Sequence, residues 1–427
     1  MGRIAPVPTE RPLGRPDSPP LESTEMSRME TEKSFVAPPA PPLRSEPFRL
    51  FFPLGVLLGW VGVGHWLAYA IGLTEVYSCF RHGLLQTEAF LMAFAVGFLW
   101  TALPRRIDAP AASALEISLA AAALVAVTAA LTLDQLVIAE LCYLALFALL
   151  LQFAIRRFGS GAARRRPPAA FVLLAVGAAA GCVGAAMILA RLLVGAPAWT
   201  LALGALLVEQ GVFLSFVMGV GALILPLMSG TAPPPDLGSG PRETWKALGF
   251  VALGLAIVAS LAAEQLGAPR SAPIVRGIAV ALGLGWGGNA WHLPGKPGLH
   301  RKLVWLAAWL VPTGLIASGV FPDYRVPALH VLFIGGFSLM AFGVATHVVL
   351  SHLDLSAESL GRPPAVVALS VGILVAMAAR VAADMSNSYF AYLGWAAGTW
   401  IAGSAVWLGY LSVWLWRGRR AVRGRRV

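Results

Sequence analysis

The chain has 427 residues, of which 58% are hydrophobic and only 12% are charged. That charged share is about half the share of a typical soluble domain, so the composition excludes an ordinary soluble protein. The formal net charge of +11 does not indicate a nucleic-acid partner, because the basic residues stand in short loops between apolar runs, where they act as topology signals. The three scattered cysteines have no CxxC spacing and argue against a disulfide framework or a cysteine-based metal site.

The first 47 residues are rich in proline, glutamate, serine and arginine and contain few aromatic residues. Such a segment cannot bury enough apolar surface to offset the entropy that is lost on ordering. We therefore predict that residues 1–47 form a disordered, Pro-rich cytoplasmic tail. At the other end of the chain, the run RGRRAVRGRR predicts a basic cytoplasmic tail over residues 417–427.

Twelve apolar runs lie between these tails, and most have the roughly 20 residues that a helix needs to cross a bilayer. Membrane-spanning segments are helices or closed barrels, and the short alternating strands of a barrel do not occur in this sequence. The sequence predicts an all-α, polytopic membrane bundle of about twelve transmembrane helices over residues 48–416. The predicted spans cover residues 50–73, 84–103, 111–133, 136–158, 169–193, 199–228, 245–263, 272–291, 304–320, 328–350, 365–383 and 389–415.

Basic residues concentrate in every second loop between these runs. Arg105 and Arg106 follow the second run, a further group at 156–166 follows the fourth, and the C-terminal tail continues the pattern. The positive-inside rule places these loops and both termini in the cytoplasm. An even number of spans also puts both termini on one side, so the span count and the charge pattern agree.

Three of the seven histidines are expected in the outer third of the membrane. At about 1.5 Å per helical residue, His330 lies about 8 Å into the tenth span and His65 about 12 Å from the outer end of the first span. His82 falls in the first outer loop or at the start of the second span. Neutral imidazole is a common ligand of copper and of haem iron, so His330, His82 and His65 are candidate ligands for either group, or structural histidines that only bond neighbouring helices.

The other histidines lie at or near the cytoplasmic ends of their spans. His347 and His352 are five positions apart, or about 140° around a helix, which is a poor spacing for one metal. We expect His300, in a basic loop, to be solvated. Glu209 inside the sixth span could relay protons or bind a cation, or it could pair with an arginine. Near the end of its span, Arg380 is predicted to extend its guanidinium group towards the surface.

Two stretches resemble the NnrS family, whose members are bacterial membrane proteins linked to the response to nitric oxide. The first runs from His82 (HGLLQ) through GFLWTALPRR to Arg106, and the second is HVLFIGGFSLMAFGVATHVVLSHLD from His330. The resemblance extends over residues 48–416 and implies a haem- and copper-containing protein that acts on or tolerates a small gas ligand such as nitric oxide. His330 and His352 match the histidines that open and close the family's late motif, so His352 is also a cofactor candidate.

This chain is a divergent member at two of the family's positions. Many members have Thr-Arg where this chain has Thr346 and His347, and many have a His-Glu pair where it has Thr87 and Glu88. Two other functions stay open on the residues alone. A secondary transporter would explain the interrupted eighth span at residues 283–289, and a cofactor-free sensor or scaffold would signal through the N-terminal tail.

Overall fold

A computed structural model describes residues 2, 43–158, 165–232, 234–238, 240–353 and 355–417. Most of the predicted N-terminal tail, and the predicted basic tail beyond residue 417, lie outside the described residues. Within those ranges the chain is helical and contains no strand. The prediction of an all-α bundle is therefore confirmed.

The described chain forms twelve long helices, in agreement with the twelve predicted spans. They are α1 (Phe48–Ala70), α2 (Cys79–Ile107), α3 (Ala114–Thr132), α4 (Leu136–Phe158), α5 (Ala169–Val194), α6 (Ala198–Ser229), α7 (Pro241–Gln265), α8 (Ser271–Gly287), α9 (Leu299–Val320), α10 (Pro322–His352), α11 (Pro364–Ala383) and α12 (Tyr389–Arg417). Ten of these are long and apolar enough to cross a membrane by length and composition. The shorter helix α8 and the 29-residue apolar helix α12 complete the set.

Four of the long helices contain a π-helical segment, in which the backbone bonds skip one residue more than in an α-helix. These segments are Leu85–Leu91 in α2, Leu207–Gly211 in α6, Gly283–Gly287 in α8 and Val331–Ser338 in α10. In α8 the segment ends the helix, and Asn289 then takes a left-handed conformation with φ of 54°, which confirms the predicted interruption. Each such segment rotates the side chains that follow it, and π-bulges frequently mark functional sites.

An aromatic cluster around Phe342 joins α2, α10 and α12. The Phe342 ring lies 5.4 Å from the ring of Phe94 and 4.9 Å from that of Trp407. The indole of Trp407 donates a 2.8 Å hydrogen bond to the Thr346 hydroxyl, and Trp400 donates one of 2.9 Å to Ser338. Because both buried indoles have acceptors, the cluster contributes apolar burial without an unpaired donor. It fixes the relative rotation of three helices that line the cavity described below.

The last residues before α1 differ from the prediction of a tail that is disordered up to residue 47. Residues 43–47 lie within the described chain, and the Glu46 side chain is only 3% exposed. Its carboxylate pairs with Arg49 at 2.6 Å and with Arg105 of α2 at 3.4 Å. Two guanidinium groups thus offset the cost of burying this carboxylate, and the packed region begins before the first apolar run.

Candidate functional site

A cavity of about 370 Å³ lies among α1, α2, α6, α10, α11 and α12. We call it the histidine cavity, because His82 and His330 both line it. Its other polar lining residues are Gln86, Thr87, Glu209, Ser338, Arg380, Asp384 and Tyr389, and the remaining wall is mostly aliphatic and aromatic. Three of the helices that line it carry a π-helical segment. The volume falls in the range of about 300–1,000 Å³ that is usual for small-molecule sites.

His82 lies in the first turn of α2, which settles the choice left open by the sequence. Ser78 caps the start of the helix, and its hydroxyl accepts a 3.3 Å hydrogen bond from the Arg81 backbone nitrogen. The Nδ1 atom of His82 lies 2.8 Å from the carbonyl oxygen of Gly62 in α1. Since a carbonyl can only accept, Nδ1 carries the proton and the Nε2 atom keeps its lone pair. That tautomer is the form in which histidine binds a metal.

His330 has the same arrangement on α10. Its Nδ1 atom lies 2.8 Å from the carbonyl oxygen of Val326, one turn earlier in the same helix. Nε2 is again the atom with a free lone pair. Because His330 is the last residue before the π-helical segment that starts at Val331, its ring is held where the helix changes its winding. The structure therefore brings two of the three predicted outer histidines to one cavity.

The third predicted ligand, His65, lies beside His82 but does not line the cavity. The two rings are 5.7 Å apart between centroids, and the ring of Trp66 lies 5.0 Å from that of His65. The Nε2 atom of His65 is buried and has no hydrogen-bond partner among the described groups. In the part of the chain that the structure describes, no three His, Cys, Asp or Glu side chains converge as in a metal centre.

His352, the fourth candidate, does not line the histidine cavity. Its ring packs 5.1 Å from that of Phe48, and its Nδ1 atom lies 2.8 Å from the Val348 carbonyl oxygen. Nearby, His300 is only 1% exposed, so the prediction that it is solvated is wrong. Its Nε2 atom lies 3.3 Å from Nδ1 of His347. A hydrogen bond to this second imidazole thus takes the place of one to water.

Arg380 also differs from its prediction, because its guanidinium group does not extend to the surface. The side chain is 7% exposed, pairs with Asp384 one turn later and lies 5.6 Å from the centroid of the Tyr389 ring. All three residues line the histidine cavity. They give one wall a positive group that can bind an anion. Tyr389 and Asp384 were missed in the sequence, where the only signal was their closeness to an arginine near the end of an apolar run.

Glu209 lines the histidine cavity through its carboxylate. A methyl group added to Gly83 would lie 2.2 Å from the Glu209 Oε1 atom, so the glycine after His82 makes room for this acid. The pairing with an arginine that the sequence left open does not occur among the described residues, since Arg325 binds Glu264 instead. Glu209 thus places a carboxyl group on the wall of a cavity that also holds two imidazoles.

These features define a multi-pass helical membrane protein that carries a histidine-lined cavity within its bundle. The family model described as NnrS protein matches residues 42–419. The match covers most of the chain, and the chain belongs to the NnrS family. It also includes the packed residues before α1 that the resemblance over residues 48–416 had left out. No curated protein matches this sequence.

Proposed function

We propose that this protein of the bacterial inner membrane binds haem through histidines of the histidine cavity, binds copper through the histidines beside it, and acts in the response to nitric oxide. One observation carries the proposal. His82 of α2 and His330 of α10 line one cavity, and in each the Nδ1 atom is fixed on a backbone carbonyl while Nε2 keeps its lone pair. Two helices thus place two imidazole nitrogens with free lone pairs at the same cavity.

The other walls of the cavity suit a haem group. Phe90, Phe333 and Trp400 supply apolar surface for a macrocycle, and Arg380 supplies a cation for its carboxylate substituents. In this assignment His82 and His330 would hold the haem iron. Bound haem supplies a redox-active iron that can take a gas ligand. The residues of the chain exclude water from the apolar walls and hold the two ligand tautomers.

We assign copper to His65 and its neighbour His82 rather than to the cavity as a whole. The Nε2 atom of His65 is buried without a partner, and burying a polar nitrogen in this way costs free energy unless a ligand or proton satisfies it. His65 lies next to His82, and imidazole nitrogen is a good copper ligand. Only the Nε2 atom of His82 has a lone pair, so His82 would hold either the copper ion beside His65 or the haem iron, and not both at once.

A purified preparation tests the proposal directly. The wild-type protein is assayed for a Soret absorption band and for haem and copper per chain, together with His82→Ala, His330→Ala and His352→Ala. The first two variants should lose haem, while His352→Ala, which changes a histidine outside the cavity, should retain it. Retention of full cofactor by His330→Ala together with its loss in His352→Ala would place the cofactor at the other site and reject the proposal. All variants are compared by size-exclusion chromatography, so that loss of cofactor is separated from loss of fold.

A secondary transporter is the alternative function, and one observation favours it. Helix α8 ends at its π-helical segment, Gly283–Gly287, and interrupted helices are typical of transporters. Against this, no residue of α8 lines the histidine cavity. A colourless wild-type protein would favour a transporter, or a cofactor-free sensor, over the haem protein.

A further inference from the structure

Two carboxyl groups face each other inside the bundle, close to the histidine cavity. Glu88 of α2 and Glu140 of α4 are both 0% exposed. They lie within reach of a shared hydrogen bond, and Glu209 of α6 lies within electrostatic range of Glu88. We call Glu88, Glu140 and Glu209 the carboxyl cluster. As carboxylates, the four oxygens of Glu88 and Glu140 have no hydrogen-bond donor among the described residues.

Two other buried carboxyl groups of this bundle have arginine partners. Glu116 accepts hydrogen bonds from Arg157 and caps its own helix, and Glu264 binds Arg276 at 2.8 Å. Each of these acids therefore has a guanidinium partner that supports its negative charge. Glu88 and Glu140 have none among the described residues. Two adjacent carboxylates without donors repel each other in an apolar interior, so the pair must hold a proton to remain buried.

A second polar group points to the same place. Tyr143, one turn after Glu140 in α4, is 0% exposed, and its hydroxyl has no partner among the described groups. This hydroxyl interacts electrostatically with both Glu88 and Glu140. It is thus an unpaired, fully buried donor beside an acid pair that lacks donors. A buried phenol near neutral acids can donate a hydrogen bond to a carboxyl group when that group loses its proton.

The carboxyl cluster connects to the histidine cavity through Glu209. Glu209 lines that cavity, whereas Glu88 and Glu140 do not. Both Glu88 and Glu209 lie in π-helical segments, Leu85–Leu91 and Leu207–Gly211. The altered winding there adjusts the direction of the side chains, and such segments frequently occur at functional sites. Glu209 is thus within electrostatic range of the buried pair and also on the wall of the cavity.

We propose that the carboxyl cluster is a proton-binding site in which Glu88 and Glu140 share a proton and Glu209 passes protons between this pair and the histidine cavity. In each transfer, one O–H bond of a carboxyl group breaks and one forms on the next carboxylate, and a water molecule in the histidine cavity accepts the proton that leaves Glu209. Two other titratable or charged groups interact electrostatically with these acids, namely Tyr143 with Glu88 and Glu140, and Arg325 with Glu209. Cys182 in turn lies within electrostatic range of Tyr143. The inference goes beyond the proposed function, because it holds whatever ligand the cavity takes.

Infrared spectroscopy of the purified full-length protein tests the proton-binding part. Protonated carboxyl groups have a carbonyl stretching band that carboxylates lack. We expect the wild type to show this band at neutral pH, and Glu88→Gln and Glu140→Gln each to remove or shift it. Glu116→Gln is the matched control, because that buried acid is ionised against Arg157. A band that neither Glu88→Gln nor Glu140→Gln alters would overturn the proposal.

Exchange into heavy water tests the role of Glu209. We expect the band of the shared proton to move to its deuterated position on the order of a hundredfold more slowly in Glu209→Gln than in the wild type, because a positioned acid accelerates proton transfer by about that factor or more. Equal rates in the two proteins would reject Glu209 as the link.

A buried acidic site can also bind a metal cation instead of a proton. Titration with NaCl or KCl at constant pH and ionic strength tests that alternative. Loss of the band on addition of one of these cations would show a metal-cation site instead. Because the readout needs no haem, it fails or succeeds independently of the proposed function.

Discussion

The Nδ1 atom of His82 lies 2.8 Å from the carbonyl oxygen of Gly62, and this bond joins α1 to α2 at the edge of the histidine cavity. It depends on the close approach of the two helices. A methyl group at position 62 would lie 2.3 Å from Nε2 of Gln86 and 2.9 Å from Cβ of Leu85. Because Gly62 has no side chain, the two helices come close enough for its carbonyl group to orient His82.

Substitution of Gly62 should disturb both stability and the site. We expect Gly62→Ala to lower the free energy of unfolding by about 1–3 kcal/mol, as is usual when a packed contact is overfilled, and to reduce cofactor content. Gly64→Ala is the control, because a methyl group there meets nothing within 4 Å. Thermal unfolding and cofactor assays of the two variants provide the comparison. Equal behaviour of the two variants would mean that the α1–α2 contact does not position His82.

A second prediction concerns the packing of α9 against α10. A methyl group added to Gly336 would lie 2.7 Å from Cγ2 of Val311 and 3.3 Å from its backbone Cα. Small residues allow such close helix contacts in membranes, so Gly336→Leu should lower the yield and the thermal stability of the purified protein. Gly249→Leu in α7 should leave both unchanged, because no atom lies within 4 Å of the added carbon. Normal yield and stability of Gly336→Leu would show that the two helices can separate at little cost.

The loop between α6 and α7 should contribute a small, pH-dependent part of the stability. Arg165, which donates a 2.8 Å hydrogen bond, and Arg106 hold the pKa of Asp236 below its usual value. A lowered pKa in the folded state means that the contribution is fully present above the unfolded value of about 3.9 and is lost as the pH falls through the folded value. Such partly exposed pairs contribute at most about 1 kcal/mol. Thermal unfolding of the wild type and of Asp236→Asn at pH 7 and in acid should therefore show a difference that disappears in acid. A difference that persists at a pH acidic enough to protonate Asp236 in the folded state would assign it to packing rather than charge.

The orientation of the bundle is still a prediction from the arginine pattern, and Cys79 offers a test. This cysteine is exposed and lines the histidine cavity, whereas Cys142 and Cys182 are partly buried. If both termini are cytoplasmic, a membrane-impermeant maleimide should label Cys79 from the outside of intact spheroplasts. The variant Cys79→Ser should lose this labelling. Labelling of Cys79 only after the membrane is opened would reverse the orientation and place the histidine cavity on the cytoplasmic side.

The number and limits of the helices were predictable because they depend on composition along the chain. A run of apolar residues that is long enough to cross a bilayer must be helical, wherever its neighbours lie. The twelve spans, the interruption near residue 283 and the position of His82 and His330 near the starts of their helices all follow from local sequence. The family resemblance likewise rested on contiguous motifs, and the match over residues 42–419 bears it out.

Only the tertiary structure decided which side chains meet, because helices that are apolar on every face carry little information about their rotation. His82 and His330 share a cavity while His65 only neighbours it, and the π-helical segments that direct these residues have no recognisable sequence signal. The burial of His300 against His347 and the meeting of Glu88 with Glu140 depend on the order in which the helices pack. That order is set by the fit of small and aromatic residues across the whole bundle, and no single span specifies it.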